Sequence, residues 1–308
     1  MIPAKERERT AVLAAVGRGA AASGLAAFLV GGAVRDLLLG RPSKDLDVTL
    51  EGATGEAAKL AARLASGPGW SLEASHARFG TATLFGPGGF RVDLAATRTE
   101  AYPRPAALPV VAGGAPILED LGRRDFTIHA MARRIGPDGS LGPLLDPFRG
   151  QDDLVRRRIR LLHGRSLVDD PTRAFRAVRY AVRLGFGVDG SFRAALALAR
   201  REGAFRSLSG DRFRRSIEEV LGEEDFGKAI ELLLKFGLLD EVCSGWGEGL
   251  ERVISSKGGD RHAEAGAPDL TGRWASLLSS LSPSRKLAVA ERLKFSRALR
   301  RVTGVAFR

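Results

Sequence analysis

Through the first 140 residues, short apolar runs alternate with glycine punctuation, the mark of a mixed α/β segment. Residues 28–30 form a buried-strand run that ends on Gly31-Gly32, and 34–39 then take helical character up to Gly40. From 44 to 50 the alternation is clean. Leu46, Val48 and Leu50 take one face, and Asp45, Asp47 and Thr49 take the other. Residues 81–85 and 90–94 predict two strands of a hairpin that turns at 86–89. The stretch 102–116 is rich in Pro, Ala and Gly and predicts a loop. From about Asp146 onward the period becomes helical. Asp170-Pro171 marks a helix start, with Asp as the cap and Pro at the first helical position. Phe175, Val178 and Val182 form the apolar stripe of that helix, Arg176, Arg179 and Arg183 share the neighbouring ridge, and Gly185 ends it. Phe213, Ile217, Val220 and Leu221 mark the next helix. Phe226, Ile230, Leu233 and Leu234 mark another, closed by Gly237. Residues 255–268 read as a linker, followed by a small helical remnant.

Composition narrows the classes. The chain has 308 residues, which suggests two or three modules. Hydrophobic residues at 44% with charged residues at 27% exclude a wholly disordered chain. One cysteine, Cys243, excludes an intramolecular disulfide framework and a thiolate zinc cluster. Four histidines without a close pair exclude a zincin-type site. His76, His163 and His262 acquire no function from their context, and Trp70, Trp246 and Trp274 are expected in the core. The apolar stretch 19–34 is interrupted by glycines and is shorter than the ~20 residues a spanning helix needs. The charged start at 5–9 matches neither a signal peptide nor a transit peptide, so the expected location is the cytoplasm. The net charge is +12, dominated by arginine at 156–160, 173–183 and 193–215. The planar guanidinium fork suits phosphate, which points to a polyanionic partner; a GC-rich genome writing Arg on solvated helix faces explains the same excess.

The sharpest chemical feature is Asp45-Leu46-Asp47. Residues i and i+2 of a strand project from one face, so both carboxylates can serve one metal centre. Hard Mg²⁺ takes carboxylate and phosphate oxygens, and two such ions clamp an in-line phosphoryl displacement. Upstream, a strand, a Gly31-Gly32 turn and a helix N-terminus make a cradle of backbone N–H groups suited to a triphosphate, with Arg35 one turn further in. Asp93, between Val92 and Leu94, is a candidate third acid; an ordinary strand polar residue is the competing assignment.

Gly31-Gly32-Ala-Val-Arg-Asp36 followed by Lys44-Asp-Leu-Asp47 resembles the catalytic signature of class II tRNA nucleotidyltransferases and bacterial poly(A) polymerases, within the polymerase-β nucleotidyltransferase superfamily. Two further blocks match in order. Arg123-Arg-Asp-Phe-Thr-Ile-His-Ala130 resembles the family's ribose- and phosphate-contacting motif, and 169–179 resembles its base-reading motif. Between them, 146–153 resembles the link from head to neck. The family motif usually has Asn where this chain has His129.

The resemblance implies an α+β fold: a polymerase-β-like nucleotidyltransferase head with a mixed sheet at 1–140, then an all-helical neck at 141–205 and body at 206–308. It implies Asp45 and Asp47 as catalytic ligands of Mg²⁺, and Gly31, Gly32, Arg35, Arg123, Arg124, Asp125 and His129 at the nucleotide. Arg176 and Arg179 join the base-reading Asp170 and Arg173. That last pair makes chemical sense, because a carboxylate accepts from an exocyclic amine while a guanidinium donates to the adjacent ring nitrogen. Cytosine and adenine both offer that edge, whereas uracil and guanine would leave buried groups unpaired at ~1–3 kcal/mol each. The implied activity is template-independent completion of the 3′-CCA end of tRNA. The donors are ATP, with CTP as a second candidate, and no membrane or protein partner is implied. The loop at 102–109 resembles that of A-adding members. The alternatives are a poly(A) polymerase and, from another class, a non-catalytic RNA-binding protein on the same fold. The latter predicts an eroded acidic pair or eroded glycines, and both are intact.

Overall fold

The computed structural model describes residues 4–41, 43–76, 80–256 and 269–305, which fall into two compact units: 1–101 with 109–162, and 102–108 with 163–308. The first unit opens with α1 (Ala4–Ala21), β1 (Ala26–Val30), α2 (Gly31–Leu38) and β2 (Asp45–Glu51). It continues through α3 (Glu56–Ala65), β3 (Ser71–His76), β4 (Thr81–Gly86) and β5 (Phe90–Ala96). Next come β6 (Arg98–Ala101), β7 (Val110–Gly113), α4 (Ile117–Gly122) and a 3-10 turn at Thr127–His129. The unit closes with β8 (Ala132–Ile135), β9 (Leu141–Leu145), α5 (Gly150–Val155) and β10 (Arg158–Ile159).

Seven strands form one mixed sheet in the order β3-β4-β5-β2-β1-β8-β9. Every pairing is antiparallel except β2 with β5, which run parallel with Asp47 opposite Asp93. The alternation at 44–50 explains the placing of β2. Leu46, Val48 and Leu50 are at most 2% exposed, leaving Asp45 and Asp47 on the opposite face. Thr49 is buried as well, because Arg124 closes over it. Beneath β1, Phe28 and Val30 join Ile117 and Leu121 of α4 and Ala130 and Ala132 in one buried cluster.

One expectation is corrected. Residues 110–113 do not belong to a loop; they form β7, which pairs antiparallel with β6 (Arg98 opposite Gly113, Ala101 opposite Val110). Composition drew attention to Pro and Gly, while the adjacent β-branched Val110 and Val111 found a partner strand upstream.

The second unit is helical: α6 (Ser166–Asp169), α7 (Thr172–Leu184), a short strand β11 (Gly187–Val188), α8 (Ser191–Arg201) and α9 (Ala204–Ser207). These are followed by α10 (Gly210–Leu221), α11 (Phe226–Lys235), α12 (Trp246–Ser256), α13 (Leu270–Leu278), α14 (Pro283–Arg292) and α15 (Arg297–Val302). Phe175 of α7 meets Phe213 of α10 edge to face at 5.3 Å, as the two apolar stripes require. Trp246 and Trp274 are fully buried; the Trp246 indole donates to Leu277 O, and Trp274 packs edge to face on Phe295. Trp70 is only half-buried, its ring against Gly86. The expected linker at 255–268 lies outside the described residues from 257 onward, as does His262, while α12 runs through Ser256. Among the described residues, no helix is long and apolar enough to cross a membrane.

Candidate active site

β1 ends and α2 begins without an intervening loop, and the reversal is made at Gly31 with φ +63°. An L side chain is strained in that region, and a Cβ there would crowd Arg124 Nη1 at 3.0 Å and touch Asp47 Oδ2 at 3.7 Å. A Cβ on Gly32 would lie 3.6 Å from both Arg35 Nη2 and Asp47 Oδ2. Gly31 N–H donates to Met131 O at 3.2 Å, so the turn brings the Gly32 N–H, at the helix N-terminus, beside one carboxylate and two guanidinium groups. That is the arrangement that accepts phosphate.

Asp45 is exposed and Asp47 half-buried. Burial pushes the Asp47 carboxyl above the usual carboxylate range; Asp93 and Asp45 add to the rise, and Arg124 and Arg35 oppose it. A crowd of acids that raises one member's pKa is relieved by a cation. With only carboxylate oxygens as donors, Asp45 and Asp47 fit a hard divalent ion whose remaining ligands come from phosphates and water. Asp93 is close enough to act on Asp47, but its Oδ1 already accepts from Thr83 Oγ1 at 2.6 Å and Arg91 Nη2 at 3.2 Å. Among the described residues, no three acidic, His or Cys side chains converge as a ready-made metal-binding group.

Arg123 and Arg124 are organised from below by a residue the sequence did not single out. Asp120 is fully buried; its Oδ1 accepts from Arg123 Nε and Nη2 and from the Arg98 backbone N–H, and its Oδ2 accepts from Arg124 Nη2 at 3.0 Å. Burial disfavours its charge, yet Arg124 and Arg123 hold its carboxyl below the ordinary range. Glu100 Oε1 adds a bond from Arg123 Nη1 at 2.9 Å. Arg124 reaches Thr49 Oγ1 at 3.4 Å, which lays it along β2 toward Asp47.

Arg35 is 7% exposed, its fork closed on both Asp36 oxygens and its Nη1 at 2.7 Å from His129 Nε2. His129 Nδ1 lies 2.9 Å from Asp125 Oδ1, which also accepts the Phe126 backbone N–H. The 3-10 turn carrying His129 is fixed on its other side by Thr127 Oγ1, which donates to the fully buried Asp153 at 2.6 Å.

Within the second unit, Asp170 starts α7 as expected, its Oδ1 accepting from Thr172 N and Oγ1. The same oxygen accepts from Arg212 Nη2 at 2.9 Å, while Arg212 Nη1 donates to Ala106 O. Arg173 is 5% exposed; it donates to Ser166 Oγ at 2.7 Å and lies beside the Tyr102 ring and hydroxyl. Arg176 stacks near Tyr180. Arg179 is paired with Glu219 and Glu223, and Arg183 with Glu223. Much of the expected arginine ridge is thus matched by acids of α10 and the turn after it. Arg212, Glu219 and Glu223 carried no sequence signal, because their partners lie about 40 residues away.

A carboxylate pair on the central strand of a mixed sheet, faced by a glycine turn at a helix start, defines a nucleotidyl-transferring head. The comparisons agree: the poly A polymerase head domain matches residues 27–160. An A-adding tRNA nucleotidyltransferase of Geobacter sulfurreducens is 40% identical over 215 residues, covering 70% of this chain and 24% of the relative. A multifunctional CCA protein of Pseudomonas putida is 31% identical over 286 residues, covering 88% and 69%. A solved CCA-adding enzyme in an apo form superposes with a TM-score of 0.77 at 31% identity, covering 97% of this chain and 70% of that one. The chain belongs to the class II tRNA nucleotidyltransferase family. It spans between 24% and 44% of the length of the first A-adding relatives it matches.

Proposed function

We propose that this chain adds the terminal A of the CCA end of tRNA without a template, using ATP and Mg²⁺, with CTP as a weaker donor. The observation that carries the proposal is the seat of Asp45 and Asp47 beside the Gly31-Gly32 turn. The name of the Geobacter relative, and the 102–109 loop that resembles those of A-adding members, favour A.

In this proposal Asp45 and Asp47 hold the divalent ion, with Asp93 an outer acid. When bound, the ion supplies Lewis-acid stabilisation to the attacking 3′-hydroxyl and to the charge that builds on the phosphates. The chain's own groups do the rest. The backbone N–H of Gly32 at the start of α2 binds the triphosphate, while that of Gly31 donates to Met131 O, and Arg124 and Arg123, held in place by Asp120, add fixed positive charge where pyrophosphate departs. Arg35 lines the nucleotide's phosphate side, backed by His129 and Asp125. Asp170 and Arg173 read the amine-plus-acceptor edge of the base, with Arg176 and Arg179 alongside. The head does the chemistry, and the helical neck and body hold the RNA, to which the exposed arginines contribute contacts that position without specifying.

Asp45→Ala and Asp47→Ala test the proposal. Each is expected to lower incorporation at least about a hundred-fold, since metal clamps supply several kcal/mol at ~1.4 kcal/mol per decade, with tRNA affinity within a few-fold of wild type. A double variant retaining more than about a tenth of wild-type turnover overturns the assignment.

A further inference from the structure

His129 has a buried ring, 6% exposed as a residue, in which both nitrogens meet partners on the protein: Nδ1 with Asp125 Oδ1 at 2.9 Å, and Nε2 with Arg35 Nη1 at 2.7 Å. A guanidinium only donates, so Nε2 must offer its lone pair. The ring is then neutral, and its proton sits on Nδ1 and is donated to the Asp125 carboxylate. One tautomer satisfies both contacts. Asp125 is itself fixed by the Phe126 backbone N–H.

Arg35 is gripped on two edges. Nε and Nη2 form a bidentate pair with Asp36 at 2.8 and 2.9 Å, and Nη1 is held by His129. Asp36 is the next residue on α2, so this pair alone ties the guanidinium only to its own helix. His129, 94 residues away, ties it to the rest of the head. The position of a Cβ built on Gly32, 3.6 Å from both Arg35 Nη2 and Asp47 Oδ2, shows what the fixed guanidinium faces: the glycine turn and the acid.

We propose that His129 is a positioning residue, locked in its Nδ1–H tautomer by Asp125, that aims Arg35 at the nucleotide's phosphates instead of touching the ribose itself. This role rests on Arg35 facing a triphosphate, as proposed above. An Asn at this position, with a shorter reach and an amide in place of a ring, cannot bridge the same two partners through opposite ends of an imidazole. The interaction therefore belongs to the His-bearing form of the motif.

A double-mutant cycle tests the role, with KM for ATP and kcat measured on tRNA ending in CC. Arg35→Ala and His129→Ala are each expected to raise KM roughly ten-fold, the scale of one hydrogen bond to a charged group, with a smaller change in kcat. The pair together is expected to be no worse than Arg35→Ala alone. His129→Gln, whose Oε1 can accept from Arg35, should recover part of the loss. If Arg35→Ala leaves KM unchanged, the phosphate assignment of Arg35 fails and this role fails with it. If Arg35→Ala raises KM while His129→Ala does not, or if the two effects multiply, only the role of His129 fails. Should His129→Ala not fold, ¹⁵N NMR of the wild-type imidazoles decides the matter. An unprotonated Nε2 with a proton on Nδ1 near neutral pH is expected, and a proton on Nε2 overturns the proposal.

Discussion

Asp120 shows how much of the site is built by a residue that never faces solvent. Its carboxylate accepts from the Arg98 backbone N–H and pairs with Arg123 and Arg124 at once, so an amide there leaves two half-buried guanidinium groups short of charge. Asp120→Asn is expected to cost about 3–5 kcal/mol in urea unfolding, the scale for breaking a buried pair. The sign of its pH dependence follows from the depressed carboxyl. The contribution is fully present above the ordinary value of 3.8 and is lost as pH falls through the lower folded value. The gap in Tm between wild type and Asp120→Asn should therefore close below about pH 4; a constant gap down to pH 2 contradicts the assignment. At this scale the sequence was legible where chemistry is local. Gly31, Gly32, Asp45 and Asp47 declare themselves by spacing, whereas Asp120 and Glu100 work through folded contacts among Arg98, Arg123 and Arg124 that no spacing displays.

Among elements, strong periodicity carried the reading. The alternation of β2, the stripe of α7 and the glycine stops at Gly185 and Gly237 are where the sequence placed them, because burial on one face leaves a period. β7 was lost because its four residues are exposed and show no alternation, and only β6 makes them a strand. The proposed base reader is likewise set by an element outside the motif. Arg212 of α10 joins Asp170 to the backbone of Ala106, so the start of α7 and the 102–108 segment are held by one side chain. Arg212→Ala and Arg173→Ala are both expected to relax discrimination against UTP and GTP by about ten-fold or more, without loss of helix content. Arg173 sits in the first turn, where its charge opposes the macrodipole. Unchanged nucleotide selectivity in Arg173→Ala would reduce Asp170 and Arg173 to a helix start.

For the whole molecule, charge is the quantity most easily misread from composition. The excess of +12 suggested an arginine track, yet Arg165, Arg179, Arg183, Arg200 and Arg214 are paired with Glu202, Glu219, Glu223, Glu241 and Glu218 inside the helical unit. Exposed Arg201, Arg215, Arg297 and Arg301 are among the cations that form no ion pair among the described residues and so are available to a polyanion. Removing all four should weaken tRNA binding and flatten its salt dependence by a slope of roughly 3–4, while leaving kcat at saturating tRNA near wild type. An unaltered salt slope places the RNA elsewhere.

The specificity of nucleotide addition is the most direct test. Purified protein is given Mg²⁺ and tRNAs that lack CCA altogether, end in CC, or carry the whole CCA, with ATP and CTP offered separately. One A added from ATP to the tRNA ending in CC, with little C added to the bare end, is the expected result. Efficient CTP incorporation onto the tRNA lacking CCA contradicts A addition and indicates a complete CCA-adding activity, and long A-tails on unrelated RNA contradict tRNA-end repair itself.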